Sequence, residues 1–170
     1  GASRPIVRGL DGTRVPLLSN GAPIEDASAM SPDHAVTAEP MLAERVELFS
    51  GPAALLQAPG AMGGVINVVD RRLPQSAPAN GLEGEVGLRA NSGAREKAGA
   101  FWLTGGRGPV LLHVGGQASD AGDYRVGQGW AGGSRVDGSQ RRSQTGSLGL
   151  TWLGEQATLG MAVTRQTARY

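Results

Sequence analysis

Hydrophobic and polar residues alternate with a period of two over most of the second half of the chain. In one such segment Val86 and Leu88 lie on one face, and Glu85 and Arg89 lie on the other. A period of two is that of a β-strand with one apolar and one polar face. The pattern predicts strands at residues 83–91, 97–105, 109–119, 143–153 and 156–166.

The alternation also predicts which residues share a face of an antiparallel sheet. The predicted apolar face holds Val86, Leu88, Leu148, Leu150, Trp152, Leu159, Met161 and Val163. The predicted polar face holds Glu85, Arg89, His113, Gln117 and Thr151. Tight turns at 106–108 and 154–155 alternate with a long glycine-rich connection at 120–142. Such strands are typical of a transmembrane β-barrel, and the same period occurs in a soluble antiparallel sheet with one wet face.

The first half combines short elements of both kinds. The predicted strands are 6–7, 15–18, 45–49 and 65–69, and the Asn20-Gly21 turn follows the second. Proline at a first helical position predicts one helical turn over 40–44 and a short helix over 53–57, which Gly51-Pro52 opens. Residues 59–64 form a glycine-rich loop. The pattern predicts a compact α+β module that meets the strand-rich region near residues 71–81.

Composition excludes several classes of protein. Glycine supplies 28 of 170 residues, but without the G-X-Y period of collagen. The net charge of +1 gives no case for a nucleic-acid binder. The absence of cysteine excludes disulfides, cysteine-based zinc sites and thiol nucleophiles. The sequence contains no window of 18 uninterrupted apolar residues, so it predicts no transmembrane helix.

Catalytic motifs are missing from the sequence. There is no G-x-S-x-G, no Walker loop and no H-E-x-x-H. The loop at 59–64 lacks the G-x-G-x-x-G spacing and precedes a strand, whereas a dinucleotide cradle precedes a helix. A Ser-His-Asp site built from His113 and Asp120 has no support from spacing. The sequence therefore predicts that the protein is not an enzyme.

One short stretch has the chemistry of a metal ligand pair. Asp33 and His34 follow Ser31-Pro32, and a carboxylate and an imidazole are both good zinc ligands. Two ligands are not a complete zinc site, which needs four, or three and a water. The alternative is a helix start with Ser31 or Asp33 as the N-cap.

Arg8, Glu44, Arg45 and Glu47 form a charge group in the first half. The group is either solvated surface or a buried set of ion pairs at an interface, which is costly unless every charge is matched.

Several blocks, taken in order, carry a family resemblance. They are 4–10, Asn20-Gly21, 42–48, 51–56 and 60–68. In sequence and spacing these blocks resemble the plug domain of TonB-dependent outer-membrane receptors, and the strands that follow resemble the first strands of the family's barrel. The resemblance implies that residues 1–74 are the C-terminal portion of a plug domain. It implies that residues 75–170 are the first five strands of a transmembrane β-barrel.

The resemblance also implies a function. Receptors of this family have a 22-stranded barrel filled by the plug, and they import scarce nutrients with energy delivered through TonB. We therefore expect part of a longer receptor in the outer membrane of a Gram-negative bacterium. Its expected partners are the TonB complex, outer-membrane lipid and a metal or metal-chelate substrate, without nucleic acid. No cofactor is required, and zinc is a possible transported substrate.

Two stretches resemble the zinc-receptor branch of the family, namely Ser-Pro-Asp-His-Ala at 31–35 and the segment 143–150. This likeness implies that Asp33 and His34 are zinc ligands of the plug. The alternatives are a siderophore or haem receptor of the same family, or a soluble β-rich binding domain without a transport role. Two departures from the family pattern put plug locking in doubt: Ser50 replaces the arginine of Arg-Gly-Pro, and Gln57-Ala58 replaces Tyr-Gly.

The resemblance predicts a membrane orientation as well. If the plug ends at the periplasmic side, residues 92–96 and 120–142 face the exterior, and the turns at 106–108 and 154–155 face the periplasm. The exterior loop would then be basic and would carry two aromatic side chains for contact with ligand or headgroups. These residues are Arg125, Arg135, Arg141, Arg142, Tyr124 and Trp130.

Overall fold

The computed structural model describes residues 5–24, 40–127 and 133–169. It divides the chain into two compact units, Gly1–Asp70 and Arg71–Tyr170. The sequence had suggested a boundary four residues later, after Pro74. No helix in the described parts of the chain has the length and apolar character needed to cross a membrane.

The first unit is a small α+β module. Its strands are β1 (Leu17–Ser19), β2 (Ala22–Pro23), β3 (Ala43–Phe49) and β4 (Val65–Asp70), in the order β2-β1-β4-β3. Strand β1 pairs parallel to β4, and the other two pairings are antiparallel. The described part of this unit also contains two 3-10 turns (Gly12–Arg14 and Pro40–Leu42) and the helix α1 (Pro52–Gln57).

The core of the first unit lies between α1 and the central strands. Leu18, Ala54, Ala58, Ala61 and Val65 are buried together, with Phe49 packed against them. Small alanines on α1 and the loop after it allow this close approach. Gly64 is required next to the core because its φ is +135° and an added Cβ would lie 2.8 Å from the Phe49 carbonyl oxygen.

Local details of the first unit differ from the sequence expectations. Residues 6–7 are not a strand, and the described backbone there makes a single bridge between Val7 and Leu10. The strand predicted at 15–18 lies at Leu17–Ser19. The Asn20-Gly21 turn is confirmed, with φ values of 51° and 82°.

The helical turn predicted over 40–44 ends at Leu42 because the next residues join strand β3. Pairing of β3 with β4 reaches back to Ala43, opposite Asp70, across a register shift between Ala43 and Arg45. The ladder with β4 thus overrides the local helical preference. The short helix and both longer strands of this unit are confirmed.

The second unit is a five-stranded antiparallel meander. Its strands are β5 (Leu82–Asn91), β6 (Glu96–Arg107), β7 (Val110–Ala121), β10 (Arg141–Leu153) and β11 (Thr158–Arg169), in the order β11-β10-β7-β6-β5. A separate hairpin pairs β8 (Tyr124–Arg125) with β9 (Arg135–Val136). An α+β plug-like part followed by this sheet matches the predicted fold class.

The connections of the meander are placed differently from the prediction. Strand β6 continues through Gly105 and Gly106, which pair with Leu112 and Leu111, so the turn is at 108–109. Gly108 supplies the left-handed φ of 61° that this turn needs. Strand β11 begins at Thr158 instead of residue 156. In the connection predicted at 120–142, β7 and β10 extend until Ala121 faces Arg141.

The faces of the sheet agree with the alternation. Leu112, Leu150 and Met161 lie opposite one another in one row across three strands. Leu150 is 43% exposed, whereas its neighbour Thr151 on the other face is 1% exposed. The residues predicted to be apolar and polar therefore lie on the two opposite faces of the sheet, here called the apolar face and the polar face.

Candidate functional site

The proposed metal ligands Asp33 and His34 lie outside the described residues, as does Trp130. Within 5–24, 40–127 and 133–169, no three histidine, cysteine or acidic side chains come together as a metal site. The remaining histidine, His113, is buried on the polar face of β7, at the position that the alternation predicted.

The polar face is built from alternate residues of β6, β7 and β10. Its buried polar members are Thr104, His113, Gln117, Ser143, Thr145, Ser147 and Thr151. Gln117 Nε2 donates to Ser143 Oγ at 2.9 Å, and the hydroxyl of Ser119 lies 3.0 Å from the same atom. Hydroxyl and amide groups of this density suit a water-rich interior and would be costly against hydrocarbon.

Aromatic and cationic groups stack at one place on the polar face. The Trp102 and His113 rings are stacked, with centroids 6.4 Å apart and planes 17° from parallel. The Arg71 guanidinium carbon lies 4.5 Å from the centroid of the Trp102 ring. His113 Nδ1 is 2.8 Å from Thr104 Oγ1, which fixes the imidazole ring. These contacts join residue 71 to strands β6 and β7.

The apolar face carries large exposed hydrophobic side chains on every strand. They are Leu82, Val86, Leu88, Phe101, Leu103, Val110, Leu112, Leu148, Leu150, Trp152, Leu159, Met161 and Val163. A continuous face of this kind is unusual on a soluble protein and marks contact with lipid or another apolar surface.

Charged residues border the apolar face at both ends. Lys97, Asp120, Arg142 and Arg169 form one row across four strands by register, and Arg107 lies at the opposite end. Arg142 Nε donates to Asp120 Oδ2 at 2.7 Å. The apolar stretch of β7 from Val110 to Ala118 is roughly 26 Å long at ~3.3 Å per residue. That length is of the same order as the ~25 Å apolar band of an outer-membrane barrel.

A polar network ties together the sheet of the first unit. Arg45 Nε donates to Glu47 Oε1 at 2.7 Å, and Asn67 Nδ2 donates to Glu47 Oε2 at 2.8 Å. The amide oxygen of Asn67 accepts from the Gly21 N–H at 2.9 Å. One asparagine on β4 therefore links β3 to the β1–β2 turn.

These hydrogen bonds determine the ionisation of the pair. The bond from Arg45, followed by the bond from Asn67, lowers the pKa of Glu47 below its usual value. The bond to Glu47 raises the pKa of Arg45 further above its usual value. Both groups therefore remain charged at neutral pH.

The charge group lies at the surface and is not a buried set. The side chains of Arg45, Glu44 and Glu47 are 56%, 41% and 31% exposed, and Arg8 is exposed in the Val7–Leu10 turn. Of the two interpretations, the structure favours solvated surface. Sequence reasoning did not find Asn67, although an asparagine inside a β-branched strand is a recognisable sign of a satisfied polar network.

The arrangement of the second unit separates two environments. An apolar face bordered by charges suits lipid, and a polar face rich in hydroxyl groups suits a hydrated interior. Sequence reasoning did not identify the role of Arg71 and Trp102. The paired arginines at the unit boundary, and a tryptophan on the polar side of an alternating strand, were the available signals.

Comparison with known proteins agrees with this geometry. Residues 1–65 match the TonB-dependent Receptor Plug Domain family. Proteins with this plug domain are Gram-negative outer-membrane proteins, and the outer membrane is the location of this chain.

Solved structures share the fold of the whole chain. The copper transporter OprC is 21% identical over 99% of this chain and 25% of its own, with a TM-score of 0.79. A mutant of the ferric enterobactin receptor PfeA from Pseudomonas aeruginosa is 21% identical over 100% of this chain and 28% of its own, with a TM-score of 0.72. The siderophore receptor PirA from Acinetobacter baumannii is 18% identical over 96% of this chain and 25% of its own, with a TM-score of 0.70. This chain thus spans about a quarter of the length of these proteins, which by name are a transporter and receptors and not enzymes.

Proposed function

We propose that this chain is part of a TonB-dependent outer-membrane receptor that imports a metal ion, with zinc as the favoured substrate, and that it has no catalytic role. The observation that carries the proposal is the plug-domain match over residues 1–65, followed at Arg71 by a unit with a two-faced antiparallel sheet.

The sheet would work as one sector of a barrel wall. Five strands cannot close a barrel, so further strands must pair with the outer edges of β5 and β11. The apolar face would then contact lipid, and the polar face would line the interior. The TonB complex would supply the energy for import, as the plug-domain match implies.

The substrate class rests on chemistry and on likeness. The named relatives in fold are a copper transporter and siderophore receptors, so each handles a metal or a metal chelate. Asp33 and His34 offer a carboxylate and an imidazole, which suit zinc. We propose that they hold the ion on the plug together with ligands from other parts of the receptor. Movement of the plug would remove two ligands at once and release the ion.

The alternative substrate is a ferric siderophore or haem, which the likeness to the siderophore receptors favours. A large chelate is recognised through its organic groups. It would therefore not need two direct metal ligands on the plug.

Calorimetry on the complete receptor tests the choice of metal. Asp33→Ala and His34→Ala should each weaken zinc binding by at least about tenfold, since even the loss of groups that only support metal ligands costs about 10–100-fold. Asp11→Ala, which removes an exposed carboxylate from the same unit, is the matched control and should change nothing. Zinc binding should also weaken as pH falls through about 6.5, because a protonated imidazole cannot bind metal.

If both variants keep wild-type zinc affinity and uptake, Asp33 and His34 are not the ligands. Binding of a ferric chelate by the same receptor, unaffected by either substitution, would then establish the alternative.

A further inference from the structure

Residues 71–73 lie on the polar face of the sheet and are held by three successive contacts. Arg71 stacks over Trp102, as described above. Arg72 Nη1 donates to Thr164 Oγ1 on β11 at 3.2 Å. The side chain of Leu73 packs over Gly160, where an added Cβ would lie 2.9 Å from Leu73 Cδ2. Each residue of this short segment therefore contacts a residue at least 31 positions further along the chain.

Two glycines on the polar face make room for the segment. An added Cβ at Gly149 would collide with the backbone carbonyl of Arg72, at a distance that no real contact reaches. The Gly160 position is similarly filled by Leu73. Gly146 on the same strand faces the other way, and an added Cβ there meets nothing within 4 Å. The glycines at 149 and 160 are thus matched to the segment that crosses them.

The boundary between the two units is sharp because adjacent residues are held by different units. The backbone N–H of Asp70 donates to Asn20 Oδ1 at 3.1 Å, within the first unit. Arg71, the next residue, is held by Trp102 in the second unit. The contacts of the chain therefore change from those of the first unit to those of the second between residues 70 and 71.

We propose that residues 71–73 are a fixed anchor, bound to the polar face by Trp102, Gly149, Gly160 and Thr164, and that they stay bound while the plug moves during transport. The anchor confines plug movement to the residues before 71 and keeps tension off the edge strand β5. The claim that the anchor stays bound during import rests on the proposed function. The contacts of residues 71–73 do not depend on it.

Thiol labelling in the complete receptor tests whether the polar face holds residues 71–73 in place. The surface that binds them, formed by Trp102, Gly149, Gly160 and Thr164, is here called the seat. Leu73→Cys is introduced, and its reaction rate with a small water-soluble methanethiosulfonate reagent is measured. Adding Gly149→Val should expel the segment and raise the labelling rate by about tenfold or more, since labelling follows the population of the released form. Gly146→Val, a matched valine on the same strand, should leave the rate unchanged. Equal rates for the 149 and 146 variants would overturn the anchor.

A milder pair of variants keeps the test decisive if Gly149→Val prevents folding. Thr164→Val removes only the hydroxyl that accepts from Arg72, and Trp102→Leu removes the ring under Arg71. Each should raise the labelling rate of Leu73→Cys several-fold, and the two together should raise it further. No increase in the double variant would overturn the proposal.

A crosslink tests whether the segment stays in place during transport. A Leu73→Cys, Gly160→Cys receptor can be locked by oxidation, because the new side chain at 160 would lie next to residue 73. The oxidised receptor should keep the uptake rate of its reduced form. Uptake that is lost on oxidation and restored by reduction would show that the segment must leave its seat. A receptor that transports no zinc would refute the proposed function, while labelling would still decide whether the anchor exists.

Discussion

Asn67 shows how much of the first unit depends on a single side chain. It lies 7% exposed on β4, donates to Glu47 on one side and accepts from the Gly21 N–H on the other. An apolar residue at this position would leave the Gly21 donor and the Glu47 carboxylate without these partners, which is more costly than the loss of one hydrogen bond. The polar residue in the middle of an otherwise β-branched strand therefore stabilises both neighbouring strands.

The ionisation of Glu47 gives a pH-dependent prediction at this scale. Because the folded pKa lies below the reference value of 4.5, Glu47 stabilises the fold fully above about that pH and ceases to do so as pH falls through the lowered pKa. Glu47→Gln should therefore increase hydrogen–deuterium exchange in β3 and β4 at pH 7, and the difference from wild type should shrink as pH falls below 4.5.

Glu44→Gln is the matched control for that measurement. Glu44 lies 3.8 Å from the Arg45 guanidinium, against 2.7 Å for Glu47, and is more exposed. Its replacement should have a smaller effect on exchange at neutral pH. A difference for Glu47→Gln that persists unchanged at low pH would contradict the assignment.

The strands of the second unit show which elements a sequence reveals. Burial alternates strictly along β10 from Ser143 to Trp152, and the position and faces of the strand were predictable because Leu148, Leu150 and Trp152 alternate with small or polar residues. The extension of β6 beyond Gly105, through Gly106 and Arg107, was not predictable, because the glycines at 106 and 108 indicate a turn locally, whereas pairing with β7 decides otherwise.

Contacts between distant residues explain the remaining gaps. The β8–β9 hairpin has no apolar period, so nothing local distinguishes it from a loop. The seat for residues 71–73 joins side chains up to 92 positions apart, and no local pattern encodes such a contact. The Asp33-His34 pair is the reverse case: its chemistry is clear from the sequence alone, and its role as a metal site stays a prediction.

The two faces of the sheet give a prediction for single strands. Leu150→Arg and Met161→Arg should each destabilise the complete receptor by roughly 2–4 kcal/mol if they lie near mid-bilayer. Gln166→Arg, on the polar face of β11 beyond the residues that contact 71–73, should have an effect close to zero because the guanidinium points into the hydrated interior.

Urea unfolding of the receptor from lipid bilayers measures these differences. A large cost for Gln166→Arg together with none for Met161→Arg would mean that the apolar face does not meet lipid.

The molecule as a whole has a predicted orientation in the outer membrane. The turns at 108–109 and 154–157 lie at one end of the meander, and the connection that contains β8 and β9 lies at the other. If the strand that follows the plug runs outward, the second end faces the exterior. The exterior end would then carry Arg125, Arg135 and Arg142.

Surface labelling tests this orientation in cells that express the complete receptor. A tag inserted at Gly133 should be labelled on intact cells, whereas the same tag at Gly154 should be labelled only after permeabilisation. Gly133 lies in an open loop and Gly154 in a tight turn closed by its N–H bond to Ala157, so each tagged receptor is first checked for normal assembly in the membrane. The opposite pattern of labelling would reverse the orientation.

The parallel pairing of β1 with β4 has a consequence for the order in which the chain folds. Leu18 pairs with Asn67, so the plug sheet cannot close until nearly fifty further residues have emerged, and closing so long a loop is slow. The hairpins of the second unit, such as β6–β7, join residues that are close in sequence and can form as soon as each turn is available. The sheet of the first unit therefore begins to form first and is completed late, and its β1–β2 hairpin stays unpaired on one side until β4 has been synthesised.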